Sequence, residues 1–157
     1  MEELKIITGI FSSLTNPIVA IVVAYIAYQQ WKVNSNKEMR ESNQNKLHVY
    51  LAVKRLLKSF DNTLEIDKKL YLEMQEALAI GDFIFDDTLN KWLSDVDCEA
   101  SCWLNIKDII NMAQKELSGL ELSQVIEREE PYLTISQDKL QNFHCELLGK
   151  FREQLKM

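Results

Sequence analysis

The chain has 157 residues, 46% of them hydrophobic and 27% charged, with four glycines and two prolines. That length fits one soluble domain plus an appendage better than two domains, and such sparse turn punctuation favours long helices over many short strands. The net charge of −6 hides an asymmetry: residues 1–58 hold eight Lys/Arg and four Asp/Glu, and residues 59–157 hold ten and twenty. A basic stem ahead of an acidic body argues against general nucleic-acid binding by the whole chain, and puts the basic part where anionic lipid or a phosphorylated ligand would meet it.

Ile6–Tyr28 is a run of 23 residues without a charge. As a helix it reaches roughly 34 Å, enough for a hydrocarbon core of about 30 Å. Tyr25, Tyr28 and Trp31 cluster at its C-terminal end, with Lys32 beyond, as the aromatic belt and snorkelling cation of a membrane interface do. The start, Met1-Glu2-Glu3-Leu4-Lys5, is not the basic lead of a cleaved signal peptide. The expectation is a transmembrane anchor over residues 1–31. Only Lys5 precedes the span, whereas Lys32, Lys37, Arg40 and Lys46 follow it, so the positive-inside rule puts the C-terminal domain in the cytoplasm of a bacterium, single-pass in the inner membrane. Three cysteines with no framework spacing suit a reducing compartment. Gly9, Ser13, Asn16, Ala20, Ala24 and Ala27 recur every three or four residues, which predicts a small-residue oligomer seam. Asn16-Pro17 predicts a kink or a fresh helix start within the span.

Residues 32–46 are polar and read as a stalk, and 47–157 as an all-α cytoplasmic domain of about five helices. Helical periodicity resumes at Leu47, with Tyr50, Leu51, Val53, Leu56, Leu57 and Phe60, and stops at Asp61-Asn62-Thr63. A second helix carries Leu64, Leu70, Tyr71, Met74 and Leu78 and ends at Gly81. Phe83-Ile84-Phe85 is a bridge, and Asp86-Asp87 caps a third helix with Leu89, Trp92, Leu93 and Val96. A fourth runs from Cys102 through Ile110 to Leu117 and ends at Ser118-Gly119. Residues 120–135, with Pro131, are expected to be partly loop, and Ser136 to cap a last helix carrying Leu140, Phe143, Leu147 and Phe151.

No phosphate-binding glycine loop, dinucleotide fingerprint, zinc-protease pair or nucleophile elbow occurs. Two histidines leave little material for base-assisted nucleophiles. No enzyme, cofactor or metal site is expected. Cys98, Cys102, His144 and Cys145 have the donors of a four-ligand zinc set but lack a tight knuckle, so buried core cysteines are the simpler reading. Trp92 and Trp103 lie in apolar stripes and read as core anchors. The suggestive polar group is basic: Lys54, Arg55 and Lys58, with Lys46 and His48, on the first cytoplasmic helix. Repeated around the axis of a symmetric oligomer, these cations would form an anion site, to which Lys68-Lys69 would add. The plainer alternative is a solvated helix face or contact with lipid headgroups.

The stretches AYIAYQQWK (Ala24–Lys32) and FIFDDTLNKWL (Phe83–Leu93), with the later PYL (Pro131–Leu133), resemble small single-span bacterial membrane proteins. The architecture of membrane helix, basic stem and helical cytosolic domain is similar to the cyclic-oligoadenylate-activated membrane effectors of type III CRISPR antiviral defence. That resemblance implies a non-enzymatic homo-oligomer, a tetramer, that binds an anionic nucleotide second messenger such as cyclic tetra-adenylate and perturbs the bilayer, with no duplex nucleic acid as partner. Lys54, Arg55 and Lys58 are the expected phosphate contacts. The rival readings are a membrane-tethered helical interaction module without a small ligand, a phage-type lysis or anti-lysis protein, and, least in keeping with the motifs, a hydrolase.

Overall fold

The structure, a computed structural model, describes the backbone of residues 2–152, 154 and 155, and the side chains of those from residue 19 onward. Among the described residues the secondary structure is entirely helical: α1 (Glu2–Thr63), α2 (Lys68–Gly81), α3 (Asp87–Glu116) and α4 (Leu120–Arg152). The chain divides into two units, Met1–Glu41 and Ser42–Met157.

In the first unit the described apolar side chains lie open. Val19, Ile21, Val22, Val23, Tyr25, Ile26, Tyr28 and Trp31 are each about half exposed or more. Gly9, Ser13, Asn16 and Pro17 lie outside the described side chains, so the expected seam is seen only through Ala20, Ala24 and Ala27, all exposed. No described helix is long and apolar enough to cross a membrane.

The second unit is a bundle of four helical segments, not five. One stripe of α1 (Val49, Ala52, Val53, Leu56, Leu57, Phe60) is buried, and its three-and-four spacing is what puts those residues on one face. It meets Met74 and Ala77 of α2, Leu89, Trp92, Leu93, Val96, Ala100 and Trp103 of α3, and Leu140, Leu147 and Phe151 of α4. Aromatic edges lock the faces together. Phe60 meets Trp103 edge to face at 5.6 Å, and Phe151 meets Tyr50 at 5.3 Å and Phe85 at 5.4 Å. Trp92 and Trp103 are core residues, as their stripes required.

The helix ends follow from local chemistry. α1 stops where Leu64 turns left-handed (φ 53°), its N–H reaching back to Phe60 O at 2.7 Å. Asp67 Oδ1 accepts from Lys69 N and Leu70 N and so caps α2, later than the expected start near Leu64. Asp86 Oδ1 accepts from Leu89 N at 2.8 Å and caps α3. Gly119 (φ 63°) makes the turn into α4, a conformation in which a Cβ would be strained.

Two expected helix breaks are absent. The expected third and fourth helices are one, because Asp97–Ser101 continue the turn and Ala100 is wholly buried. Residues 120–135 are helix as well: α4 starts at Leu120 and carries Pro131 in its interior. Proline removes one backbone donor, and on this exposed stretch water can satisfy the carbonyl left over. Ser136 is therefore no cap. It is buried inside α4, and its Oγ donates to Glu99 Oε1 at 2.6 Å.

Candidate functional site

Of the five cations expected to form an anion site, all on α1, Lys54, Lys58, Arg55 and His48 fall within about 120° of one another around the helix, and Lys46 lies outside that arc. At about 100° per residue, Lys54 and Lys58 are neighbours one turn apart, Arg55 and His48 adjoin them, and Lys46 stands about 80° from Lys54. Lys54, Arg55, Lys58 and His48 are exposed, and Lys46 is half-buried. Among the described residues none of the five is paired with a carboxylate. The Lys54 ammonium lies over the Tyr50 ring, 5.4 Å from its centre. Lys68 does not join them, since its Nζ pairs with Asp108 of α3 at 3.5 Å.

His48 and Arg55 do line a groove, of about 300 Å³, with Leu51 and Ala52 of α1 and with Glu73 and Glu76 of α2. Its charge is mixed. Lys54, Arg55 and Lys58, the expected phosphate contacts, remain exposed and lie within about 100° of one another on α1.

A polar cluster that the sequence reading missed joins α3 to α4. Glu99, about 14% exposed at its side chain, accepts from Ser136 Oγ and from Lys139 Nζ at 2.9 Å. The hydrogen bond and charge of Glu99 hold the Lys139 ammonium above its ordinary pKa. Beside this cluster Cys102, Asn105, Ile106, Tyr132 and Ile135 line a hollow of about 400 Å³. Although Cys102 as a whole is exposed, partial desolvation of its thiol, and then the neighbouring Cys98, push it up, away from the reactive thiolate. The signal was available in the four- and three-residue steps of α4 through Ser136, had residues 120–135 been read as helix.

The remaining constellations do not assemble. Cys98, Cys102 and Cys145 are exposed free thiols rather than core residues. The His144 Nδ1 lies 3.1 Å from Asp61 Oδ2, tying α4 to the end of α1. Among the described residues no three His, Cys, Asp or Glu side chains gather as metal ligands. Trp92 donates from Nε1 to Glu146 at 3.1 Å, an internal bond that leaves its ring edge-on to Phe143 in the bundle.

Compared with family models, with curated proteins and with solved structures, the chain matches none of them.

Proposed function

We propose that this chain is a membrane-tethered helical interaction module: residues 1–31 lodge in a bilayer, and the bundle from Ser42 onward presents helix faces to macromolecular partners without catalysing a reaction. The observation that carries the reading is the open apolar surface of α1 from Val19 to Trp31. Fully burying a Val or Ile side chain gains about 1.5–3 kcal/mol, so a run of this size drives association with lipid or with other apolar helices. Ile6–Ile18 extends the run in sequence, and the Tyr28–Trp31 ring pair (6.1 Å between centres) with Lys32 gives it an interfacial end. The cytoplasmic placement of the bundle in a bacterial cell rests on the flanking cations.

Flotation of the full chain with vesicles of phosphatidylcholine and phosphatidylglycerol tests this. The chain should rise with the vesicles and stay with them in high salt and at alkaline pH. Ile21→Asp with Ile26→Asp should leave it at the bottom of the gradient. Release of the unsubstituted chain by salt alone would sink the tether.

A second reading keeps the anionic second messenger. Lys54 and Lys58 favour it, standing side by side, exposed, and without a carboxylate partner among the described residues. Titration of the full chain in detergent with cyclic tetra-adenylate should then give heat that Lys54→Glu with Lys58→Glu abolishes. No heat with any ring size removes this reading.

A further inference from the structure

A flank of α4 carries Glu121, Val125, Arg128, Tyr132, Ile135 and Lys139, all exposed except the half-buried Val125; within the chain Arg128 pairs with Glu129 at 2.8 Å and Lys139 with Glu99 at 2.9 Å, both cations keeping about half or more of their side-chain surface open. The steps between them are four, three, four, three and four residues, the alternation that keeps one seam facing a partner helix in a coiled coil. Tyr132 is 59% and Ile135 51% exposed, so the seam is not spent on the bundle's own core. Two hollows along it are lined in part by these residues: about 340 Å³ at Glu121, Val125 and Arg128, with Leu117 and Gln124, and about 400 Å³ at Tyr132, Ile135 and Lys139, with Cys102, Asn105 and Ile106 of α3 on its other wall.

The order of chemistries along the seam is self-complementary when reversed. Lay a second α4 antiparallel across it, with the two-fold axis at Glu130. Glu121 then meets Lys139 of the other copy, Val125 meets Ile135, and Arg128 meets the Tyr132 ring, each contact occurring twice. Acid faces base, apolar faces apolar, and a guanidinium faces an aromatic face, while the hollow at one end receives knobs from the other. A parallel arrangement would set each residue against itself, Glu121 on Glu121 and Lys139 on Lys139. The pattern selects one direction and one register, which is what a closed, isologous contact requires.

We propose that the α4 flank from Glu121 to Lys139 is a homodimer interface, formed by antiparallel pairing with α4 of a second copy. The proposal goes beyond the interaction-module reading by naming one partner, and it does not depend on the membrane tether.

Zero-length carbodiimide cross-linking of the full chain in detergent, followed by peptide mapping, tests it. Within one chain Glu121 and Lys139 lie about 27 Å apart along the same helix, so a bond between them arises only between copies. The link Glu99–Lys139 serves as the internal control, since those groups touch within one chain. The expected result is a Glu121–Lys139 link. Glu121→Lys alone, or Lys139→Glu alone, sets like charges together at both ends; each should lose the link and weaken association about tenfold. Mixing the two variants restores opposite charges at both ends, so a link between position 121 of one variant and position 139 of the other should appear. Far-UV circular dichroism checks that each variant is folded, and Tyr132→Glu provides a second disruption that leaves both reacting groups in place. Absence of the Glu121–Lys139 link while Glu99–Lys139 forms overturns the proposal, as does a mixture that fails to restore it. Flotation without the link would leave the tether standing and the interface refuted; the link without flotation would do the reverse.

Discussion

Phe151 closes the bundle, and removing its ring should come close to unfolding it. The side chain is wholly buried and meets three other rings edge to face: Tyr50 of α1 at 5.3 Å, Phe85 before α3 at 5.4 Å and Trp92 of α3 at 6.5 Å. A Phe→Ala change in a core costs about 3–5 kcal/mol through lost transfer energy and the cavity left behind. Edge-to-face pairs add about 0.5–1.5 kcal/mol each beyond area. The upper half of that range, about 4–5 kcal/mol, is the expectation, because the ring touches three elements and none can collapse inward without dragging its helix. A domain of this size is stable by only about 5–15 kcal/mol. Urea unfolding of the full chain in detergent, followed by the near-UV signal of the buried tryptophans, gives the difference. Phe151→Leu keeps most of the volume and loses the edge contacts, so it should cost about 1–2 kcal/mol. A Phe151→Ala loss below about 1.5 kcal/mol, or a Leu variant no better than Ala, would refute this account of how the core is closed.

Ser136→Ala should cost about 1.5–3 kcal/mol, because it deprives the shielded Glu99 carboxylate of a short hydrogen bond; Ser136→Thr should recover part of it in the same urea assay. Asp86→Ala should cost about 1–2 kcal/mol and Asp86→Asn much less, since Asp86 caps α3 through Leu89 N and also accepts from Gln154 Nε2 at 2.6 Å; thermal melts that rank the two equally would contradict the capping role. Stability should fall in alkali. Burial raises the Tyr71 phenol, helped by Asp97; burial raises the Cys102 thiol; and Glu99 raises the Lys139 ammonium. Each group holds its proton to higher pH folded than unfolded. Its contribution is complete below the unfolded values of 10.0, 9.0 and 10.5 and is lost as pH rises through the folded ones. Unfolding midpoints that stay level from about pH 8 to 11 would contradict this.

The core was legible because its stripes are regular. Val49 to Phe60 repeats at helical spacing, and Asp61-Asn62-Thr63, Gly81 and Asp86 punctuate where the backbone in fact turns. Helix number was not, for two reasons. Asp97–Ser101 is polar except for Ala100 and Cys98 and looks like a joint, yet it is an unbroken turn of α3 with Ala100 wholly buried and Asp97, Glu99 and Ser101 half-buried. Pro131 and the acidic run before it look like a loop, but an exposed proline breaks a helix only when nothing outweighs the one lost bond. Misplacing α4's start hid Ser136 as a cap when it is a partner of Glu99, and hid the flank from Glu121 to Lys139 altogether. For the basic set on α1, the shared side of Lys54 and Lys58 was legible in their spacing, whereas Glu73 and Glu76 of α2, which line the groove with His48 and Arg55, are invisible in a linear reading.

The route the chain takes through its bundle also sets a timetable for its synthesis. The buried stripe of α1 finds its aromatic partners late: Phe60 waits for Trp103, and Tyr50 waits for Phe151, near the end of the chain. By contrast, α3 and α4 are joined by only the short turn at Gly119 and can zip together from neighbouring contacts as soon as both have left the ribosome. A nascent chain therefore carries an open apolar stripe on α1 for most of its translation, in addition to the apolar run that precedes it. Truncation anywhere before Phe151 makes that temporary exposure permanent, so stop codons late in the reading frame should yield aggregated or degraded protein rather than a shortened bundle.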